Sequence, residues 1–409
     1  MGNYRFHTPD GVTDILAEDC AAKRRAEQKL RVLFDSWGYQ EIETPGLEFY
    51  DAYSEGSFVA QEDLCKLGDR DGRLLALRYD GTIPVARLVA TTLRDVPAPI
   101  RISYIENMYR FRESGGGRQR EFCQAGVELL GLSTARADAE VIALAIASAL
   151  EIGIPDLQIS IGQVEFFKGL MEEWKVSAED ADEISREIDR KDTVALEKMA
   201  ERLGLSKEAR ETLLMCPSVF GTYEALDRFA SRVTGERAKA AITNIREIFE
   251  VLEDYDYLKY VSVDFGMLRG LDYYTGMIFR GFTYEVGFPI ISGGRYDQVV
   301  ASFGRDLTAV GFSLGVNLCM TALRRRGAEN DQTYADAVIG YSDEQGMRKL
   351  AIAMAEDLRA EGMRVILDCD KKSEEELELY ADTRKVEQVI FLNQSSCDCG
   401  VENMDEVNV

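Results

Sequence analysis

The sequence predicts an α+β fold, an antiparallel sheet flanked by helices, with a helical insertion and a small C-terminal α/β domain. Three observations lead there. Apolar runs at Leu74–Leu77, Ile100–Met108 and Phe122–Leu130 are linked by connectors of hairpin size, Gly68-Asp-Arg-Asp-Gly72 and Ser114-Gly-Gly-Gly117, as antiparallel strands require. Residues 164–258 turn Glu/Lys/Arg-rich and helix-periodic, and from Ala335 onward strand and helix patterns alternate.

The elements follow in chain order. Ala17–Trp37 carries Leu30, Leu33, Phe34 and Trp37 at helical spacing, with Gly38 at the stop position. Tyr39–Pro45 alternates as a strand and ends in proline. Ser133-Thr134 caps a helix over Ala135–Glu151, and Leu157–Ile161 alternates again. The helical stretch has breaks near Lys175, Gly204 and Pro217. Strand patterning returns over Tyr260–Phe282, and Ile290–Asp297 with Val310–Gly315 completes a glycine-marked core. The tail reads strand Ala335–Gly340, helix Glu344–Glu361, strand Arg364–Leu367, helix Ser373–Thr383 and strand Val386–Leu392. The expected boundaries are a core over 1–163 and 259–327, the insertion over 164–258, and a small domain over 334–409.

Composition narrows the function. The 409 residues are 46% hydrophobic and 29% charged, as in a folded chain of two or three domains of roughly 150 residues. With 48 Lys plus Arg against 72 Asp plus Glu, the net charge is -24, which repels polyanions. No apolar run is long enough to span a membrane, and Met1–Asp14 has neither a basic n-region nor an apolar h-region, so a cytoplasmic chain with no membrane partner is expected. The 8 cysteines are scattered without a C-x-x-C pair; Cys397 and Cys399 fit a solvated tail better than a metal site. The single histidine, His7, removes His-based triads and metal cages.

Three clusters carry possible chemistry. Arg110-Phe-Arg112-Glu113-Ser-Gly-Gly-Gly117-Arg118-Gln-Arg120 puts four arginines on a hairpin in an acidic chain; guanidinium forks grip carboxylate or phosphate, so Arg112, Arg118 and Arg120 are anion-binding candidates, against the plain alternative of a solvated hairpin. Arg269-Gly-Leu-Asp-Tyr273-Tyr274 places tandem tyrosines beside an arginine, an arrangement that core packing also explains. Gly293-Gly294-Arg295-Tyr296-Asp297 marks a close backbone approach. Asp264-Phe265-Gly266 lacks every other kinase motif, and no P-loop is present.

Together these segments resemble histidyl-tRNA synthetase and its class II relatives, from Thr8-Pro-Asp-Gly-Val-Thr-Asp-Ile15 to Leu318, with a weaker echo to about residue 393. Pro45 sits where the family's first motif builds a dimer interface. Arg110 with the hairpin looks like the second motif, and Arg269–Tyr274 resembles the signature of a histidine pocket. The resemblance implies that Asp80 and Thr82 hold an α-amino group, that Gln124 and Glu128 line the amino-acid pocket, and that Tyr273 and Tyr274 complete it. It also implies that Glu128 and Tyr274 satisfy the two imidazole nitrogens, while Arg110 and Arg269 face carboxylate or phosphate oxygens.

Departures from the family decide the expected activity. Where an active synthetase ends its third motif Gly-x-Glu-Arg, this chain has Gly315-Val-Asn317-Leu318, and Arg112 replaces a motif-2 glutamate. Each lost electrostatic group costs on the order of a hundredfold or more, so adenylation is expected to fail. From Tyr334 to Val409 there are 18 Asp plus Glu against 8 Lys plus Arg, the wrong sign for tRNA. The combination is similar to the regulatory subunits of ATP phosphoribosyltransferase. That likeness implies no catalytic residue, no metal and no cofactor. It implies a short-form catalytic subunit as partner, L-histidine as feedback effector, and a homodimer within a hetero-octamer. Two readings stay open beside it: a working histidyl-tRNA synthetase, for which Leu318 discriminates, and a histidine-sensing module with another partner.

Overall fold

The computed structural model describes residues 4–54, 59–111, 119–268, 273–327 and 334–394. The chain divides into two compact units, 1–328 and 329–409.

The first unit is organised on one nine-stranded sheet. Its strands are β1 (Gln40–Glu41), β2 (Ile100–Tyr109), β3 (Glu121–Leu130), β4 (Gln158–Gln163), β5 (Phe220–Gly221), β6 (Val261–Asp264), β7 (Met277–Thr283), β8 (Val286–Arg295) and β9 (Ala309–Gly315). The spatial order is β1-β2-β3-β9-β8-β7-β4-β6-β5. From β2 through β4 every neighbouring pair is antiparallel; β1 on β2 and β6 on β4 are parallel. A second, three-stranded sheet joins Leu47–Phe49, Leu74–Leu77 and Lys66–Gly68, with the expected hairpin across Gly68–Gly72.

Two cores lie on opposite faces of the large sheet. On one face pack α1 (Ala17–Ser36), α3 (Ala135–Glu151) and the insertion, burying Leu30, Phe34, Ile142, Ile146 and the inward side of β3. On the other face sits α2 (Thr82–Ala90), which contributes Ile83, Val85 and Val89 to a smaller core with Ile102, Tyr104 and Tyr296. The long α3 begins where the sequence signals it: Thr134 is the N-cap and its side chain accepts the Ala137 N–H at 3.3 Å. An alanine-rich run allows close approach on every side, so α3 is buried over most of its surface.

The insertion contains α4 (Val164–Glu173), α5 (Ala178–Arg190), α6 (Thr193–Arg202), α7 (Lys207–Met215), α8 (Tyr223–Ala230) and α9 (Glu236–Asp254). Two breaks escape the sequence reading, one at Lys191, whose left-handed φ of 57° ends α5, and one over 231–235 between α8 and α9. A two-residue strand, β5, also ties the insertion to β6.

Two other expectations are corrected. Only Gln40–Glu41 of Tyr39–Pro45 is a strand, because Thr44 turns inward and donates its backbone N–H to Glu106 at 2.6 Å. Tyr260–Phe282 is not continuous strand. Asp264 accepts the Gly266 N–H at 2.8 Å in a turn, Phe265 stacks on Phe166 at 3.9 Å, and Thr275 bonds to the Arg295 carbonyl at 2.8 Å. Interior contacts there replace a ladder.

The last helix of the first unit is α10 (Val316–Arg325). In the second unit, β10 (Ala335–Tyr341), β11 (Val365–Leu367) and β12 (Val386–Leu392) form a parallel sheet in the order β11-β10-β12. One helix covers each face: α11 (Met347–Ala360) packs on Ala337 and Ile339, and α12 (Glu374–Arg384) on Val338. The first of these helices starts three residues later than the sequence suggests, after Gly346 with φ of 94°. Among the described residues no helix is long and apolar enough to cross a membrane.

Candidate functional site

Strand alternation aims one face of the central strands at a cavity of about 550 Å³. Along β3, Cys123, Ala125, Val127 and Leu129 enter the larger core, which turns Gln124, Gly126 and Glu128 to the opposite side. The register carries that face across the sheet. Glu128 lies opposite Gly311 and Gly126 opposite Ser313; Gly311 and Ser313 pair with Gly294 and Ser292, which pair with Ile278 and Arg280. Glycine and serine on β9 and β8 therefore leave an open trough between β3 and β7. Nothing larger fits: a Cβ on Gly311 would collide with the Glu128 carboxylate and stand 2.5 Å from the Val127 carbonyl oxygen. One on Gly126 would stand 2.5 Å from the Tyr104 ring.

Glu128 is the centre of the polar floor and is 1% exposed. Three hydroxyls donate to its carboxylate: Thr82 at 2.9 Å, Tyr104 at 3.3 Å, and Tyr296. Burial pushes the carboxyl up to about 8; the Tyr296 and Thr82 hydrogen bonds oppose that rise and nearby Asp80 adds to it. Asp80 is also raised, chiefly by burial, against a hydrogen bond from the Ile83 N–H at 3.1 Å and the positive field of Arg110. The segment that delivers Asp80 and Thr82 is anchored by Arg78, 6% exposed. It pairs with Glu106 at 2.7 Å and donates to the carbonyls of Thr44 and Asn107.

Gln124, 7% exposed, donates its amide to Ser313 at 3.2 Å, while its side-chain oxygen has no partner and lines the cavity. A buried acceptor left open in this way is available to a ligand donor. Tyr273 and Tyr274 meet edge to face at 4.8 Å, and both line the cavity. Burial raises the Tyr274 hydroxyl to about 12, opposed by Arg280. Arg295 anchors the far wall through Asp138, with Asp297 at 3.1 Å and the Leu132 carbonyl at 3.0 Å. It is a packing element rather than a cavity group.

The structure thus brings Asp80, Thr82, Arg110, Gln124, Tyr273 and Tyr274 to the wall of one cavity, with Glu128 beneath its floor. Arg110 is already engaged. Its guanidinium lies 4.5 Å from the Tyr79 ring and 5.0 Å from Phe122, and its Nε donates to the Tyr79 carbonyl at 3.1 Å. Arg120 does not line the cavity; it stacks on Phe111 at 4.7 Å and its backbone N–H bonds to Gly11. Arg112, Arg118 and Arg269 lie outside the described residues, as do Cys397 and Cys399.

Three residues escaped the sequence reading. Tyr104 and Tyr296 complete the hydroxyl set on Glu128; Tyr296 stood inside a flagged motif, but nothing marked Tyr104. Arg280 on β7 lines the cavity, and among the described residues it makes no hydrogen bond or ion pair. Leu318, in the first turn of α10, lines the same cavity where the third motif would place an arginine.

The comparisons with known proteins agree with this geometry. A family profile described as histidyl-tRNA synthetase matches residues 11–318. The chain is 45% identical over 396 residues to an ATP phosphoribosyltransferase regulatory subunit of Ruminiclostridium cellulolyticum, covering 97% of this chain and 94% of that one. It is 46% identical over 382 residues to one of Acetivibrio thermocellus, covering 93% and 91%. A solved structure from Bacillus halodurans, described as an ATP phosphoribosyltransferase regulatory subunit/histidyl-tRNA synthetase, superposes with a TM-score of 0.86 at 32% identity, over 95% of this chain and 99% of that one. Histidyl-tRNA synthetase from Nostoc shares the fold, with a TM-score of 0.82 at 21% identity over 96% and 93%.

Proposed function

The chain belongs to the family of ATP phosphoribosyltransferase regulatory subunits, built on the histidyl-tRNA synthetase fold, and from that premise we propose that its cavity is the sensing site for free L-histidine. Its role is regulatory. On this reading the chain binds a short-form catalytic subunit, supports phosphoribosyl transfer to ATP, and lowers that activity when histidine occupies the cavity. Feedback of this kind requires histidine to bind the inhibited assembly more tightly than the active one. The homodimer and the hetero-octamer belong to the same proposal.

The observation that carries it is the division within one cavity. The floor keeps a carboxyl, three hydroxyls and an open amide oxygen suited to an amino acid, while Leu318 occupies a position where ATP chemistry needs a cation. A leucine offers a triphosphate nothing. We infer that histidine is bound but not adenylated, and that the acidic C-terminal unit does not read tRNA.

The test is phosphoribosyl transfer by a short-form catalytic subunit, assayed with and without this chain while histidine is titrated. Activity that rises on mixing and falls with histidine is expected. Tyr274→Phe combined with Glu128→Gln should weaken the inhibition and leave assembly intact. No effect on the catalytic subunit, together with histidine-dependent pyrophosphate exchange by this chain alone, would replace the regulatory reading with a synthetase.

A further inference from the structure

Arg280 has no role in the site as described so far. It sits at the middle of β7, half-buried, on the same sheet face as Glu128 and Gln124. Across the sheet the two are three strand spacings apart, roughly 14 Å. On that face Gly294, Ser292, Gly311 and Ser313 stand between them, with the Tyr274 ring lying over Gly294 and the Glu128 carboxylate over Gly311. Among the described residues Arg280 makes no hydrogen bond or ion pair, and the carboxylate within reach of its field is Asp264; a fork-shaped anion would add the charge-assisted contacts it lacks. Arg110, the other described arginine lining the cavity, is already stacked between Tyr79 and Phe122. The Tyr274 hydroxyl feels both groups, since the Arg280 charge lowers its proton affinity and Glu128, when ionised, raises it.

From this arrangement we propose that Arg280 is the residue that grips the α-carboxylate of the bound amino acid. The inference rests on the histidine reading of the cavity and adds a polarity to it. The nitrogen-bearing end of the ligand lies over Asp80, Thr82, Gln124 and Glu128, and its anionic end points across the glycine-serine trough to β7. An amino acid and an arginine side chain laid end to end bridge that interval. The site then selects for a carboxylate as well as for an imidazole, and rejects the corresponding amine.

The test is isothermal titration of the full chain, alone and with the catalytic subunit, using L-histidine, histamine and inorganic phosphate. In the wild type, histidine should bind more tightly than histamine. Arg280→Gln should weaken histidine binding by about 10- to 100-fold, the range for one charge-assisted pair, and leave histamine unchanged. Arg280→Lys, which keeps the charge but loses the fork, should retain part of the affinity. If the wild type binds histidine and Arg280→Gln binds it equally well, or loses histamine to the same degree, the carboxylate assignment is wrong while the histidine site stands. Phosphate binding that disappears in Arg280→Gln with histidine binding untouched would assign Arg280 to a separate anion and overturn the proposal. Absence of histidine binding to the wild type in either form would remove the reading beneath it.

Discussion

Glu128→Gln tests the electrostatics of the cavity floor without altering its shape. The Glu128 carboxyl is pushed up to about 8 from an ordinary 4.5, chiefly by burial. Between those values the folded chain holds a proton that the unfolded chain has released, so stability falls as pH rises. The contribution is fully present below pH 4.5 and is lost as pH passes through about 8. Between pH 6 and pH 8 this amounts to a loss on the order of 2 kcal/mol. Glutamine mimics the protonated acid and cannot titrate, so the wild type should lose that stability relative to the variant over the same window. Urea denaturation followed by tryptophan fluorescence is suited to the measurement, because Trp37 and Trp174 both lie in the first unit. Stabilities of wild type and Glu128→Gln that differ by a constant amount from pH 6 to pH 8 would show that Glu128 titrates normally, and the account of a desolvated, hydroxyl-bound acid would fail.

Three other changes probe separate parts of the structure. Gly311→Ala drives a methyl group into the Glu128 carboxylate and the Val127 carbonyl; overpacking of this kind should cost about 1–3 kcal/mol and abolish measurable histidine binding, both readable by calorimetry. Arg295→Met leaves Asp138, 2% exposed, without its cation and should destabilise the first unit by about 3–5 kcal/mol in urea. In the second unit, Ser373→Ala removes a capping box formed with Glu376 and should cost about 1 kcal/mol; histidine affinity, measured by titration, should not move.

The parts of the fold legible in the sequence are those whose signal is local. Thr134 announced α3 because a cap is chemistry over three residues. The strands β2 and β3 were legible because each is ten residues long and mostly apolar. Local pattern failed where distant partners decide the conformation. Thr44 bonds to Glu106 across 62 residues, and Phe265 and Thr275 are held by Phe166 and Arg295 instead of a ladder. The site divides in another way. Gln124 and Glu128 were marked by the resemblance to the synthetase family and not by local pattern. Arg280 was marked by neither, because a charged residue at a strand position reads as solvent-facing until β8 and β9 supply the far side of the cavity. Arg120 of the four-arginine hairpin lies off the cavity, with Phe111 and Gly11 among its partners; charge in the sequence identifies an ability to bind anions and not the place where one binds.

Among the described residues, the charges that line the cavity suit the proposed amino acid better than a nucleotide triphosphate. A triphosphate needs several free cations converging on its tail. Among the described residues that line the cavity, the arginines are Arg110 and Arg280, and stacking already occupies the first. Facing them are Asp80 and the Glu128 carboxyl, the latter held largely protonated at neutral pH. Arg280 on β7 opposite the desolvated Asp80 carboxylate near α2 is the complement of a zwitterion. The intervening glycines and serines add no charge, and the Tyr274 ring over Gly294 and the Glu128 carboxylate over Gly311 shape the passage between the two poles. The fold that elsewhere supports adenylation can in this way be reduced to recognition. Under the proposed function, losing the third-motif arginine would discard stabilisation of the transferring phosphate, while an amino-acid floor built from a different set of strands would be retained.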